Sequence, residues 1–221
     1  MNKNNFSWLL LALFLFLVIV PVADDLAIVS KPVIRVLAFS CLVFIGIWSL
    51  RGSGRPFSVG IALMIAGIVL NVLAVNLSSP VYLYASFAAI FGFLLVAISF
   101  SLKHVAMGTD ISPNRLVGAV CVYLLLGVIW AVAYTMLEMI SPGSFGGFTP
   151  LQGRGWDSEW VYFSFVTMTT LGYGDILPIS ATARVLAYMQ AVFGQLYVAI
   201  LVAGLVSALI SSRQSSKQDD D

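Results

Sequence analysis

The sequence predicts an all-α integral membrane protein, with six spanning helices and one short re-entrant helix in each subunit. Of its 221 residues, 60% are hydrophobic and only 10% charged, with a mean hydropathy of +1.01. Soluble domains carry roughly a quarter charged residues. The apolar residues are gathered into five long uncharged stretches, one of them folded in two by a polar turn, and about 20 apolar residues in a helix cross a bilayer. A net charge of +1 points to neither nucleic acid nor an acidic partner, and Asp219-Asp220-Asp221 reads as a solvated end. Cys41 and Cys121 both fall inside apolar stretches without metal-ligand spacing, so neither a structural disulfide nor a metal site is expected.

In chain order the expected spans are Phe6 to Val22, Val33 to Leu50, Phe57 to Leu77, Val81 to Leu102, Leu116 to Ile140 and Ala183 to Ser211. The third and fourth are separated by Asn76-Leu77-Ser78-Ser79-Pro80, a polar turn ending in a helix-initiating proline. Val161 to Thr170 is apolar but too short to span, and suits a re-entrant helix buried in protein. The first span also has a signal-peptide reading, because Lys3 precedes it and Pro21-Val22-Ala23 ends in a small residue. Proline three residues before the cut and the length of the apolar run favour a retained helix.

Basic residues orient the chain. With the N-terminus cytoplasmic, the inner segments hold Lys3, Arg51, Arg55, Lys103, Arg115, Arg213 and Lys217, and the outer ones Lys31, Arg35, Arg154 and Arg184. Seven against four favours this assignment. Both termini are then expected inside a cell membrane crossed several times.

Between the last two spans runs Thr167-Met168-Thr169-Thr170-Leu171-Gly172-Tyr173-Gly174-Asp175. Successive carbonyls turned to one side of an extended strand require backbone angles that glycine reaches cheaply at alternate positions. Gly172 and Gly174 have that spacing, Thr170 can add a hydroxyl at the inner mouth, and Tyr173 can brace the strand from behind. Such oxygens replace the water shell of a bare cation.

This run resembles the signature of the tetrameric potassium channel family, a pore-loop family whose filter reads Thr-x-Gly-Tyr-Gly followed by an acidic residue. The resemblance is continuous from Leu116 to about Arg213. It implies a homotetramer in which four loops form one K+ filter from Thr170, Leu171, Gly172, Tyr173 and Gly174, with K+ as permeant ion, membrane lipid around it and no cofactor or covalent chemistry. In the family an aromatic in the pore helix bonds the acidic residue after the filter, which by position gives Tyr162 and Asp175. Many relatives carry tryptophan where Tyr162 stands, and some a buried glutamate where Val166 stands. Trp160, Tyr162, Phe163 and Phe165 supply aromatic bulk around the filter. Glu138, near the outer end of its span, resembles the outer-helix glutamate that braces the loop behind the filter, against the alternative of a snorkelling interfacial charge. Asp157 and Glu159, with Asp175, would give the outer mouth a negative collar, or else form an ordinary solvated turn.

In the last span, Gly194 lies where relatives place a hinge and Gly204 offers a second soft point, although such glycines are as often packing sites. Ala199, Ala203 and Ser207 form a small-residue stripe. Val198, Val202, Val206 and Ile210 form an apolar stripe that would line and close an inner cavity by dewetting, or face lipid or core.

The sequence divides into residues 1–110, four N-terminal spans; 111–213, a two-helix pore unit; and 214–221, a polar cytoplasmic tail too short for a cytosolic ligand-binding domain. Val81 to Ser101 contains no Lys or Arg. Each charge moved through the field contributes about 2.3 kcal/mol per 100 mV, so steep voltage gating is not expected. Small residues at Ala62, Ala66 and Gly67, and at Ala85, Ala88, Ala89 and Gly92, mark expected helix contacts. His104 is a lone interfacial histidine, in position either for proton sensing or for simple solvation. Rival readings are a poorly selective cation channel, a potassium uptake transporter subunit, whose chains usually hold four degraded loops in one polypeptide, and a membrane sensor whose pore no longer conducts.

Overall fold

The computed structural model describes residues 5–25, 55–77, 79–106, 113–147 and 158–218. Its elements run α1 (Asn5–Asp25), α2 (Arg55–Leu77), α3 (Pro80–Ala106), α4 (Pro113–Ile140), β1 (Phe145–Gly146), α5 (Ser158–Met168), β2 (Leu177–Pro178) and α6 (Ala181–Gln218). Prolines open α3 and α4, where a missing amide proton and a fixed φ suit a first helical turn. At α6 the cap is Ser180, whose Oγ accepts from the Ala183 amide at 3.1 Å.

Among the described residues, Pro80–Lys103, Asn114–Ile140 and Ala181–Gly204 are long and apolar enough to cross a membrane, while Phe6–Ile19 and Ser58–Ala74 are shorter apolar helical segments. The expected second span, Val33 to Leu50, lies outside the described residues, as do Arg154 and Asp157. Helix α6 continues to Gln218, past the expected end at Ser211, because the polar residues after it carry no proline or glycine to stop a helix.

Helix α4 is the hub. It packs against α1, α3, α5 and α6, while α2 packs against α3. The larger core lies where α1, α3 and α4 meet. Leu9, Leu13 and Phe16 of α1 and Phe93, Leu94 and Ile98 of α3 close on Val122, Leu125, Val128 and Val132 of α4. Where α3 crosses α2, a Cβ added at Gly92 would meet the Leu63 side chain at 3.6 Å, an ordinary van der Waals distance. A second core joins Tyr134 of α4, Phe145 of β1, and Trp160, Val161 and Phe163 of α5. Asn114–Ile140 is 56% buried within the chain and Ala181–Gly204 only 11%, so α6 presents most of its surface away from its own subunit.

Candidate functional site

The turn after α4 is built by one carboxylate. Pro142 and Gly143, the latter at φ 84°, end the helix. Glu138 then accepts from the Gly143 amide at 2.7 Å through Oε1 and from the Phe145 amide at 3.2 Å through Oε2. This leads straight into β1, which pairs antiparallel with β2, placing Phe145 opposite Pro178 and Gly146 opposite Leu177. The Ser144 carbonyl accepts from the Ile179 and Ser180 amides. Glu138 therefore holds the neck through which the chain enters and leaves the loop carrying α5 and the glycine-spaced strand.

Helix α5 starts at Ser158 and stops at Met168, a shift toward the N-terminus from the expected 161–170. It stops there because Thr170 takes a left-handed φ of 61°. Gly172 at 57° and Gly174 at 80° follow, so positive φ recurs at every second residue from 170 to 174. Alternation of left- and right-handed angles turns successive carbonyls to the same side, the arrangement expected from the glycine spacing. The strand hangs from the end of α5: the Val166 carbonyl accepts from the Leu171 amide at 2.9 Å and from the Gly172 amide at 3.3 Å. Val166 thus contributes through its backbone, while its side chain is buried. Residues 169–175 are exposed in the single chain.

Behind the strand, the Tyr173 and Tyr162 rings stack with centroids 6.5 Å apart and planes 7° apart. Tyr162 Oη donates to Asp175 Oδ2 at 2.5 Å, and Asp175 Oδ1 accepts its neighbour Ile176's amide at 3.0 Å. The bond from Tyr162 holds the Asp175 carboxyl below its ordinary range, and that same bond is the main cause pushing the Tyr162 phenol up to about 12. Tyr162, Tyr173 and Asp175 are thereby brought together. Phe163 is placed elsewhere. It packs edge-on against Tyr134 at 4.9 Å and Phe145 at 5.5 Å, and Phe145 meets Trp160 at 4.9 Å. The pore-helix aromatics therefore divide, one group facing the strand and the other seating α5 on α4.

Helix α6 runs unbroken through Gly194 and Gly204. A Cβ at Gly194 would lie 2.6 Å from Met168 Cγ and 2.9 Å from the Met168 carbonyl oxygen, so in this structure the glycine is a close-packing contact between α6 and the end of α5. Among the described residues nothing lies within 4 Å of a Cβ added at Gly204, and Val198 and Val202 are exposed. The side chains of His104, Val206, Ser207 and Ile210 lie outside the described residues.

Sequence reasoning missed a buried polar chain linking α4, α5 and α6. Tyr134 Oη donates to Gln190 Oε1; Gln190 Nε2 donates to the Ser164 carbonyl at 2.9 Å and to Ser164 Oγ at 2.7 Å; and Ser164 Oγ donates to the Gly127 carbonyl at 2.6 Å. The signal was present: Gln190, like Gln195, is an amide within the apolar part of its helix, and an uncharged polar group there needs partners.

The Ion channel family profile matches residues 122–211, from the body of α4 through the glycine-spaced strand into α6. The chain is also 31% identical over 101 residues to the Two-pore potassium channel 1 of Arabidopsis thaliana, covering 45% of this chain and 25% of that protein. It is 32% identical over 82 residues to the Inward rectifier potassium channel Kirbac3.1 of Paramagnetospirillum magnetotacticum, covering 35% of this chain and 24% of that protein. Residues 122–211 are thus similar to pore-loop potassium channels. The similarity points to a membrane-embedded channel segment rather than an enzyme. The matched stretch spans about a quarter of the length of these curated relatives, and no solved structure matches. In the vocabulary of pore-loop channels, α4 is the outer helix, α5 the pore helix and α6 the inner helix.

Proposed function

We propose that four copies of this chain form a K+-selective channel in a cell membrane, conducting through a filter made of the carbonyls of Thr170, Leu171, Gly172 and Tyr173. One observation carries the reading: positive φ at Thr170, Gly172 and Gly174 in a strand suspended from the Val166 carbonyl. A single strand supplies one side of an ion cage, and four supply a complete replacement for the hydration shell. The exposure of residues 169–175 and the apolar face of α6, including Tyr188, Val192, Phe193 and Leu196, suit contact with further copies and with lipid. Glu138 and Asp175 support the filter from the two ends of the loop, and Tyr162 from behind. Gly194 fixes the inner helix to the pore helix, which leaves Gly204, with the stripe from Val202 through Val206 to Ile210, as the softer gate region.

The remaining parts follow from the same reading. The six spans comprise α1, residues 33–50, α2, α3, α4 and α6, with both termini cytoplasmic and the filter loop opening outward. Residues 1–110 form an accessory bundle, 111–213 the pore unit and 214–221 the tail. Opening is not steeply voltage-dependent, since no basic residue recurs along Val81 to Ser101. Purified protein in liposomes tests the assignment. A reversal potential that follows the K+ gradient in mixed K+ and Na+ supports it, and equal permeability to the two ions would sink it.

A further inference from the structure

We propose that Gln190 is a positioning residue for ion selection, clamping the pore helix between outer and inner helices so that the carbonyl ladder suspended from Val166 keeps its spacing. The inference rests on the K+-filter reading above. Tyr134, Ser164 and Gln190 are fully buried, and their side-chain donors all find acceptors: the tyrosine hydroxyl on Gln190, both hydrogens of the Gln190 amide on Ser164, and the serine hydroxyl on the Gly127 carbonyl. A buried polar network satisfied in this way fixes one arrangement of the elements it joins, because any shift leaves a group unpaired in a medium without water.

The placement gives the clamp its effect. Gln190 and Gly194 lie four residues apart on the inner helix, and their partners Ser164 and Met168 lie four apart on the pore helix. The two helices thus meet at matched rungs on facing surfaces. At the lower rung Gly194 lets Met168 close in, and Gln195 Nε2 adds a longer bond of 3.3 Å to the Met168 carbonyl. On the opposite side Ser164 and Phe165 seat the pore helix on Gly127, whose missing Cβ leaves room for the Phe165 ring. Val166, which carries the filter strand, lies between the rungs. The pore helix therefore cannot tilt or slide without breaking a bond to Gln190, and the filter amides move with it.

A purely structural role predicts something different. Apolar residues of similar volume in place of all the partners leave no orphaned group, and such replacements are often nearly neutral for stability. The deciding comparison is between wild type, Tyr134→Phe, Gln190→Leu and the triple variant Tyr134→Phe, Ser164→Ala, Gln190→Leu, all full length. Each is reconstituted in phosphatidylethanolamine–phosphatidylglycerol liposomes, with the K+ to Na+ permeability ratio read from reversal potentials and oligomer melting measured in parallel. The expected result is a ratio lowered about threefold by Tyr134→Phe and about tenfold by Gln190→Leu and by the triple variant. The triple variant should melt within a few degrees of wild type. A selective wild type with an unchanged ratio in the triple variant overturns the proposal alone. Wild-type protein without K+ preference overturns the filter reading, and this inference with it. If Gln190→Leu fails to assemble, an unchanged ratio in Tyr134→Phe, which removes one oxygen, overturns it just as well.

Discussion

The two halves of the chain are held by different forces. Where α1, α3 and α4 meet, the contact is apolar side chains in bulk, with polar ties beside them from Cys121 to the Phe6 carbonyl, Tyr84 to the Met139 carbonyl and Arg115 to the Val105 carbonyl. From Gly127 onward, side-chain hydrogen bonds tie α4 to the turn and β1, α4 to α5, α5 to α6, and α5 to the end of the glycine-spaced strand, through Glu138, Ser164, Gln190, Tyr162 and Asp175. Apolar contact is non-directional and absorbs small shifts. Hydrogen bonds lose strength steeply once distance or angle departs from the optimum. The polar scaffold is thus concentrated where a strand must hold its carbonyls in register, and the apolar one where a bundle need only stay packed.

Substitutions of glycine expose the contrast most sharply. Gly172→Ala places a Cβ on a residue at φ 57°, a strain of roughly 1 to 2 kcal/mol per subunit repeated around the filter. Selective K+ flux should be abolished, as read by liposome flux against a Na+ control. Next in size is Glu138→Ala, which leaves the Gly143 and Phe145 amides without their acceptor and should lower stability by about 1 to 3 kcal/mol, seen as earlier thermal dissociation of the assembly. Gly194→Ala drives a methyl into Met168, with an expected cost of about 1 to 3 kcal/mol. Pairing it with Met168→Ala should recover part of that loss in a double-mutant cycle. At the bottom stands Gly92→Ala in the N-terminal bundle, where the new methyl meets Leu63 at an ordinary distance. Its effect should stay within about 0.5 kcal/mol or be stabilising, since alanine is the better helix former. A Gly92→Ala variant as damaging as Gly194→Ala would erase the distinction between the halves.

The Tyr162–Asp175 bond gives a pH signature. Asp175 is depressed in the folded chain, so its contribution is present at neutral pH and fades only as acid titrates the carboxylate below its ordinary range. Tyr162 is raised to about 12, so its contribution is lost only as pH climbs through that value. Filter behaviour should therefore be flat from about pH 5 to about pH 9. Tyr162→Phe, which removes the donor, should speed the loss of conduction during sustained opening without changing the flat profile.

The strand at 170–174, the order of its flanking helices and the placement of Tyr162, Asp175 and Glu138 were legible because each depends on local chemistry. Glycines set backbone angles, and a lone carboxylate near a membrane edge needs donors. Val166 was misleading to read as a side chain, since its carbonyl makes the contact. Phe163 was read with the aromatics around the filter but packs on Tyr134 and Phe145, because neighbouring residues on a short helix point opposite ways and only the seating of α5 on Gly127 decides which. Gly194 was legible as a hinge or a packing site but its partner was not, because Met168 lies in a separate element whose approach no spacing encodes.

The paired strands at Phe145–Gly146 and Leu177–Pro178 bring the two ends of a long excursion side by side. Everything from the turn through the pore helix to the filter thus leaves and rejoins the scaffold at one clasp. A segment exchanged between those points meets unchanged anchors, whatever its internal length, and loop-closure cost grows only slowly with added residues. Variation in the loop can accumulate inside that clasp while the helical frame stays as it is.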